Sequence, residues 1–179
     1  PCPDGASGRV APTLPDAAGL KVAVRFEPDD APFDVGLVQY DLAGGDVEAA
    51  CNAGIGHTVE VIVVDGTTPP TTPDADGTLI VGWSVDENNT NSHTVQLGVQ
   101  DITIGANRSL FLVVAMAANQ TNTESICLAT CSQPGGVPGN NLFSDAPTEP
   151  YGWTDLTTIV TPGNELDVSA QIVGYPDTE

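Results

Sequence analysis

Residues 110–118, LFLVVAMAA, are apolar at every position. In an extended chain Leu110, Leu112, Val114 and Met116 point to one side and Phe111, Val113 and Ala115 to the other, so both sides need protein cover. The β-branched and aromatic content, with Asn-Arg before the run and Asn-Gln-Thr-Asn after it, predicts a central strand rather than a buried helix. Elsewhere the period is two. Leu20, Val22, Val24 and Phe26 alternate with Lys21, Ala23 and Arg25, which predicts a half-buried strand from residue 19 onward. Further strands are predicted over 34–42, 57–65 and 78–86, the last with Leu79, Val81, Trp83 and Val85 on one face.

Val95, Leu97 and Val99 continue the alternation, but Ile102 and Ile104 fall out of phase by one residue. A β-bulge near Gln100 and Asp101 would return both sets to the core. Residues 119–154 form the longest stretch without a pattern, with only 126–128 readable as a short strand, and are expected to be a clasped excursion or a contact surface. Two strands, 156–161 and 166–173, close the chain; in the second Leu166, Val168, Ala170 and Ile172 alternate cleanly. No segment has helical periodicity and no repeat is visible. The expected fold is all-β: a two-sheet antiparallel β-sandwich, Ig-like or jelly-roll, of about 7–9 strands. Residues 1–18, with four prolines, read as an extended N-terminal arm, and residues 19–179 as a single sandwich domain.

Charge narrows the function classes. Four Lys and Arg against 24 Asp and Glu give a formal charge of −20. Such a surface repels phosphate backbones and anionic headgroups, which excludes nucleic acid as a partner. The chain has no run of 18 apolar residues, so membrane insertion is not expected. The start at Pro1 reads as a mature, processed end. The four cysteines, Cys2, Cys51, Cys127 and Cys131, suggest an oxidising, extracellular or cell-surface setting and two disulfides. Three pairings are open from sequence; the expected one joins Cys127 to Cys131 as a local clasp and Cys2 to Cys51 as a tether for the arm.

Little in the chain suggests catalysis, and an enzyme is not expected. His57 and His93 stand at strand starts, where a solvated position costs nothing, with no Gly-x-Ser-x-Gly pattern nearby. Asp74-Ala-Asp76-Gly77 has the look of a calcium loop, but it lacks the third carboxylate and the distal Glu; loop-forming Asp and Gly explain it more simply. Calcium at Asp74 and Asp76 is therefore the single cofactor candidate. Three sequons, at Asn88, Asn107 and Asn119, all fall in predicted turns, and Asn107 and Asn119 would sit at opposite ends of the central strand, roughly 35 Å apart. The Thr-Thr-Pro-Pro-Thr-Thr-Pro loop adds a site for O-linked glycans.

The arm, with Val10, Pro12 and Leu14 as pocket-fillers, and the clean alternation from Leu166 give the chain a layout that resembles donor-strand-assembled pilus or fibre subunits. That resemblance implies a structural subunit of an extracellular, glycosylated filament, partnered by copies of itself through head-to-tail strand donation. The alternative expectation is a secreted carbohydrate-binding or adhesion β-sandwich, with Tyr151 and Trp153 as its ligand-facing rings or, equally, as a loop pinned to the core.

Overall fold

The computed structural model describes residues 8–10, 20–27, 32–43, 51–66, 71–73, 78–85, 92–116, 126–132, 139–144, 146, 151–159 and 166–176. Within them the chain is an all-β antiparallel sandwich of three sheets, with one four-residue helix.

The largest sheet has six strands. At its centre β8 (Arg108–Met116) lies between β2 (Lys21–Phe26) and β4 (His57–Asp65); β5 (Thr78–Val85) forms one edge, and β10 (Asn141–Ser144) and β11 (Thr154–Asp155) continue the other. The bounds of β4 are those expected from alternation, and β8 is covered on both faces as its composition requires. Leu110, Leu112 and Val114 face the main core with Val22, Val24, Val59, Val61 and Val63. Phe111 and Val113 face a second cluster on the other side with Ala23, Val64 and Leu142. Every residue from Leu110 to Val114 is at most 2 % exposed.

The second sheet packs on the main core through β3 (Phe33–Asp41), which pairs with β13 (Ala170–Pro176) on one side. On its other side it pairs with β6 (Ser92–Gln96) and then β7 (Ile102–Ile104), end to end. Between β6 and β7 the chain leaves the ladder opposite Gly36 and returns through Asp101, at φ 51°, a left-handed conformation that Asp tolerates better than most residues. In place of the expected β-bulge the chain makes a five-residue excursion over 97–101, with Val95, Leu97, Ile102 and Ile104 buried. Val99 does not follow: it rides the excursion and is 88 % exposed.

A third sheet of β1 (Gly8–Val10), β9 (Leu128–Ser132) and β12 (Leu166–Val168) contributes Leu128 and Val168 to the main core. The predicted closing strand is thus one extended segment shared by two sheets, since it changes partner at Ser169 from β9 to β3. In the arm, Gly8, Arg9 and Val10 are paired with Thr130, Ala129 and Leu128 of their own chain; Pro12 and Leu14 lie outside the described residues.

Residues 156–159 of the strand expected over 156–161 depart from expectation, and the last two residues lie outside the described residues. Instead of a strand, α1 (Leu156–Ile159) forms, because Asp155 accepts the Thr157 amide at 2.9 Å as a helix cap. The region expected to be nearly structureless contributes β9, β10 and β11. The disulfide pairing also differs. Cys51 bonds Cys127 and Cys131 is disulfide-bonded elsewhere, which rules out both expected pairs. The reason is geometric: four residues along extended chain separate Cα atoms by about 13 Å, whereas a disulfide spans roughly 4.4–6.8 Å. The Cys51–Cys127 bridge instead fastens the chain before β4 to the chain before β9, beside the Leu42–Leu128 bridge and the Ala43 amide bonded to the Cys127 carbonyl at 2.7 Å. Cys2 lies outside the described residues.

Candidate functional site

The outer face of the second sheet turns away from the core, and strand register places its side chains in rows. In the first, Gln171, Gln39 and Thr94 stand side by side on β13, β3 and β6. Gln171 Nε2 donates to Gln39 Oε1, and Gln39 Nε2 donates to Thr94 Oγ1 at 3.0 Å. The next row is Val173, Leu37 and Gln96. Gly36 is then an extra residue on β3: Val173 pairs with Leu37 but Gly174 pairs with Val35. This bulge lets Val35 and Val38 both point inward and turns Asp34 outward.

The third row is therefore Tyr175, Asp34 and Thr103, on β13, β3 and β7. Thr103 Oγ1 donates to Asp34 Oδ1 at 2.6 Å. Gly174 is required here by close approach, since a Cβ would sit 1.8 Å from the Asp34 carbonyl oxygen. Val173 is 42 % and Tyr175 79 % exposed; with Val99 on the neighbouring excursion they are the exposed large apolar residues of the described chain.

Thr103 also lines an open cleft of about 410 Å³ with Asp65, Gly66, Gly105, Ala106, Asn107 and Arg108. Arg108 reaches Asp65 through Nε at 2.6 Å and a terminal nitrogen at 3.2 Å, and its other terminal nitrogen donates to the Thr103 carbonyl at 2.8 Å. The hydrogen bond from Arg108 holds the Asp65 carboxyl below its usual pKa. Asn107 is exposed in the turn before β8, as its sequon suggested, while Ser109 of the same sequon is fully buried and accepts Arg25 Nε at 3.2 Å. Asn88 and Asn119 lie outside the described residues, as do Asp74 and Asp76. Among the described residues no group of three His, Cys, Asp or Glu is placed to hold a metal ion.

His57 is not at a solvated position, and His93 is half-buried. His57 is 2 % exposed, and Tyr40, 1 % exposed, meets it from the opposite sheet. The Tyr40 hydroxyl lies 2.7 Å from His57 Nε2, and His57 Nδ1 lies 3.2 Å from the Ile55 carbonyl. A carbonyl only accepts, so Nδ1 carries the hydrogen and Nε2 accepts from the tyrosine. His93 stacks on Tyr40 with centroids 5.0 Å apart and meets His57 edge-on at 5.3 Å. Burial lowers the His57 pKa; the Ile55 hydrogen bond opposes that shift and His93 adds to it. Burial likewise pushes the Tyr40 phenol up. With both ring nitrogens of His57 engaged, the cluster ties the two sheets together and leaves that imidazole no atom for substrate.

Tyr151 and Trp153 occupy the other side of the six-stranded sheet. Lys21 Nζ sits 3.6 Å over the Tyr151 ring, the two rings meet edge-on at 5.9 Å, and Ser144 Oγ donates to the Tyr151 carbonyl. Trp153 packs on the cluster around Phe111 and Val113, with its Nε1 buried and without a hydrogen-bond partner. These contacts pin the loop to the sheet.

No family model matches the chain, and no curated protein matches it. Solved structures do resemble it, among them two that cover most of this chain. One contains the cysteine protease and lectin-like domains of Cwp84, a surface layer associated protein of Clostridium difficile, at TM-score 0.60 and 11 % identity, covering 88 % of this chain and 32 % of that one. The other is the clostridial cysteine protease Cwp84 after propeptide cleavage, at TM-score 0.56 and 14 % identity, covering 86 % and 35 %. The fold is shared. The chain spans about a third of the length of the solved chains it matches. No helix among the described residues is long and apolar enough to cross a membrane.

Proposed function

We propose that this chain is a secreted carbohydrate-binding or adhesion module that works through the outer face of its second sheet. The observation that carries this reading is that face: Val173 and Tyr175 stand in solvent on a regular strand, flanked by hydrogen-bonded amides and a carboxylate. Solvated apolar groups framed by oriented polar ones mark an interaction surface on a protein. The fold likeness supports it, since a strand-built chain covering a third of Cwp84 is the natural counterpart of a lectin-like domain rather than of a protease. A buried disulfide supports an oxidising, extracellular setting.

Assembly into a filament by strand donation would require β1 to leave β9, where its three residues are already laddered within the chain. The test is a glycan array probed with the intact chain, alongside sedimentation to read its state of association. Saturable binding by a discrete species is expected; filaments without glycan binding would overturn the reading.

A further inference from the structure

We propose that the ligand is an uncharged oligosaccharide, seated across β13, β3 and β7 with Tyr175 as the stacking ring and Asp34 as the hydroxyl acceptor. This rests on the carbohydrate reading above and adds the site and the class of ligand. Tyr175, Asp34 and Thr103 form a single cross-strand row, so their side chains leave the same face at neighbouring positions. A pyranose offers an apolar C–H surface and an equatorial fringe of hydroxyls. The exposed ring suits the first and the carboxylate suits the second.

Asp34 is positioned for this before any ligand arrives. The Thr103 hydroxyl occupies one of its lone pairs, which fixes the carboxylate and leaves acceptor capacity directed to solvent. The Gln171–Gln39–Thr94 row is oriented in the same way by its own hydrogen bonds, and each amide keeps donors or acceptors to spare. From strand geometry the two polar rows lie about 13 Å apart along the strands and span roughly 10 Å across them, with apolar Val173 and Leu37 between. That is a surface for a short run of sugar rings, with hydroxyl partners at both ends and C–H contacts in the middle.

The backbone is arranged to make this face. Were Gly36 an ordinary ladder position rather than an extra residue, alternation would put Val35 where Asp34 now stands. Gly174 lets β13 pass the Asp34 carbonyl closely enough for Tyr175 to come alongside.

Electrostatics selects the class. A cation beside this row, Arg108, is forked onto Asp65 and bonded to the Thr103 carbonyl. The row itself carries an exposed carboxylate, and the chain a formal charge of −20. Sulfated, phosphorylated or uronate-bearing glycans meet repulsion here, whereas a neutral chain meets none.

The experiment is isothermal titration of the intact protein with neutral glucan, mannan and chitin oligosaccharides and with heparin and alginate fragments, repeated for Tyr175→Ala and Asp34→Ala. Tyr175 is too exposed for its loss to threaten the fold, and circular dichroism melts verify both variants. At least one neutral series is expected to bind, with affinity falling tenfold or more in each variant and little dependence on salt. Neutral binding that both variants retain would overturn this site while leaving the carbohydrate reading in place. Preference for the anionic fragments would overturn the class. Absence of binding to every probe would overturn the site and the carbohydrate reading together.

Discussion

The six-stranded and four-stranded sheets share one core and are used in opposite ways. On β8 both faces are buried, and the strand is apolar at every position from Leu110 to Ala115. On β3, Val35, Val38 and Tyr40 point inward while Asp34 and Gln39 point outward, so half of the strand is left to solvent. A sheet covered on both sides is committed to stability. A sheet covered on one side supplies a rigid, regular surface whose composition is free to serve recognition.

Substitutions distinguish the two uses. The largest effect is expected from Phe111→Ala, which opens a cavity in the second cluster and should lower unfolding free energy by about 3–5 kcal/mol in denaturant melts. Replacing Cys51 and Cys127 together by Ala releases a link between residues 76 apart in sequence and should cost about 2–4 kcal/mol in the same measurement. Gly174→Ala drives a methyl group into the Asp34 carbonyl, with a loss of about 1–3 kcal/mol. In the four-stranded sheet this is the exception, because it strikes backbone rather than the solvated face.

The Tyr40–His57 contact joins the two sheets and should make their union pH-sensitive. Burial depresses the folded His57 pKa below its value of 6.5 in the unfolded chain. The unfolded state therefore takes up the proton first as pH falls. The contribution of His57 is complete above about pH 6.5 and declines below it, by no more than about 1.4 kcal/mol per pH unit for one proton. Thermal melts between pH 7 and 5 should show that decline, and His57→Gln, which does not titrate, should lack it. The smallest effect belongs to the solvated face: Val173→Thr should leave stability within about 0.5 kcal/mol.

How much was legible depended on whether a segment's neighbours came from nearby sequence. Alternation fixed β4 to the residue, and the phase slip between Leu97 and Ile102 located the excursion at Asp101, because a two-residue period is a local property. By contrast β10 was hidden. Asn141 and Ser144 are buried, and Asn141 is satisfied by the Val168 amide at 3.1 Å and the Asp167 carboxylate at 2.8 Å, partners that no local pattern announces. The Cys51–Cys127 pairing and the burial of His57 are of the same kind, each decided by a contact between distant strands. The candidate face was only half visible. Alternation from Leu166 put Gln171 and Val173 on one side, but the strand was expected to end at Val173, short of Tyr175, and the alignment with Asp34 depends on Gly36, whose role as an extra residue is a matter of register between strands.

The most direct test follows amide resonances of the isotopically labelled protein while a neutral oligosaccharide is added. Shifts are expected at Gln39, Thr94, Thr103, Gln171 and Tyr175, with Phe111 and Val113 unmoved. Shifts gathered at Tyr151 and Trp153 instead would place recognition on the six-stranded sheet and contradict the division of labour between the two.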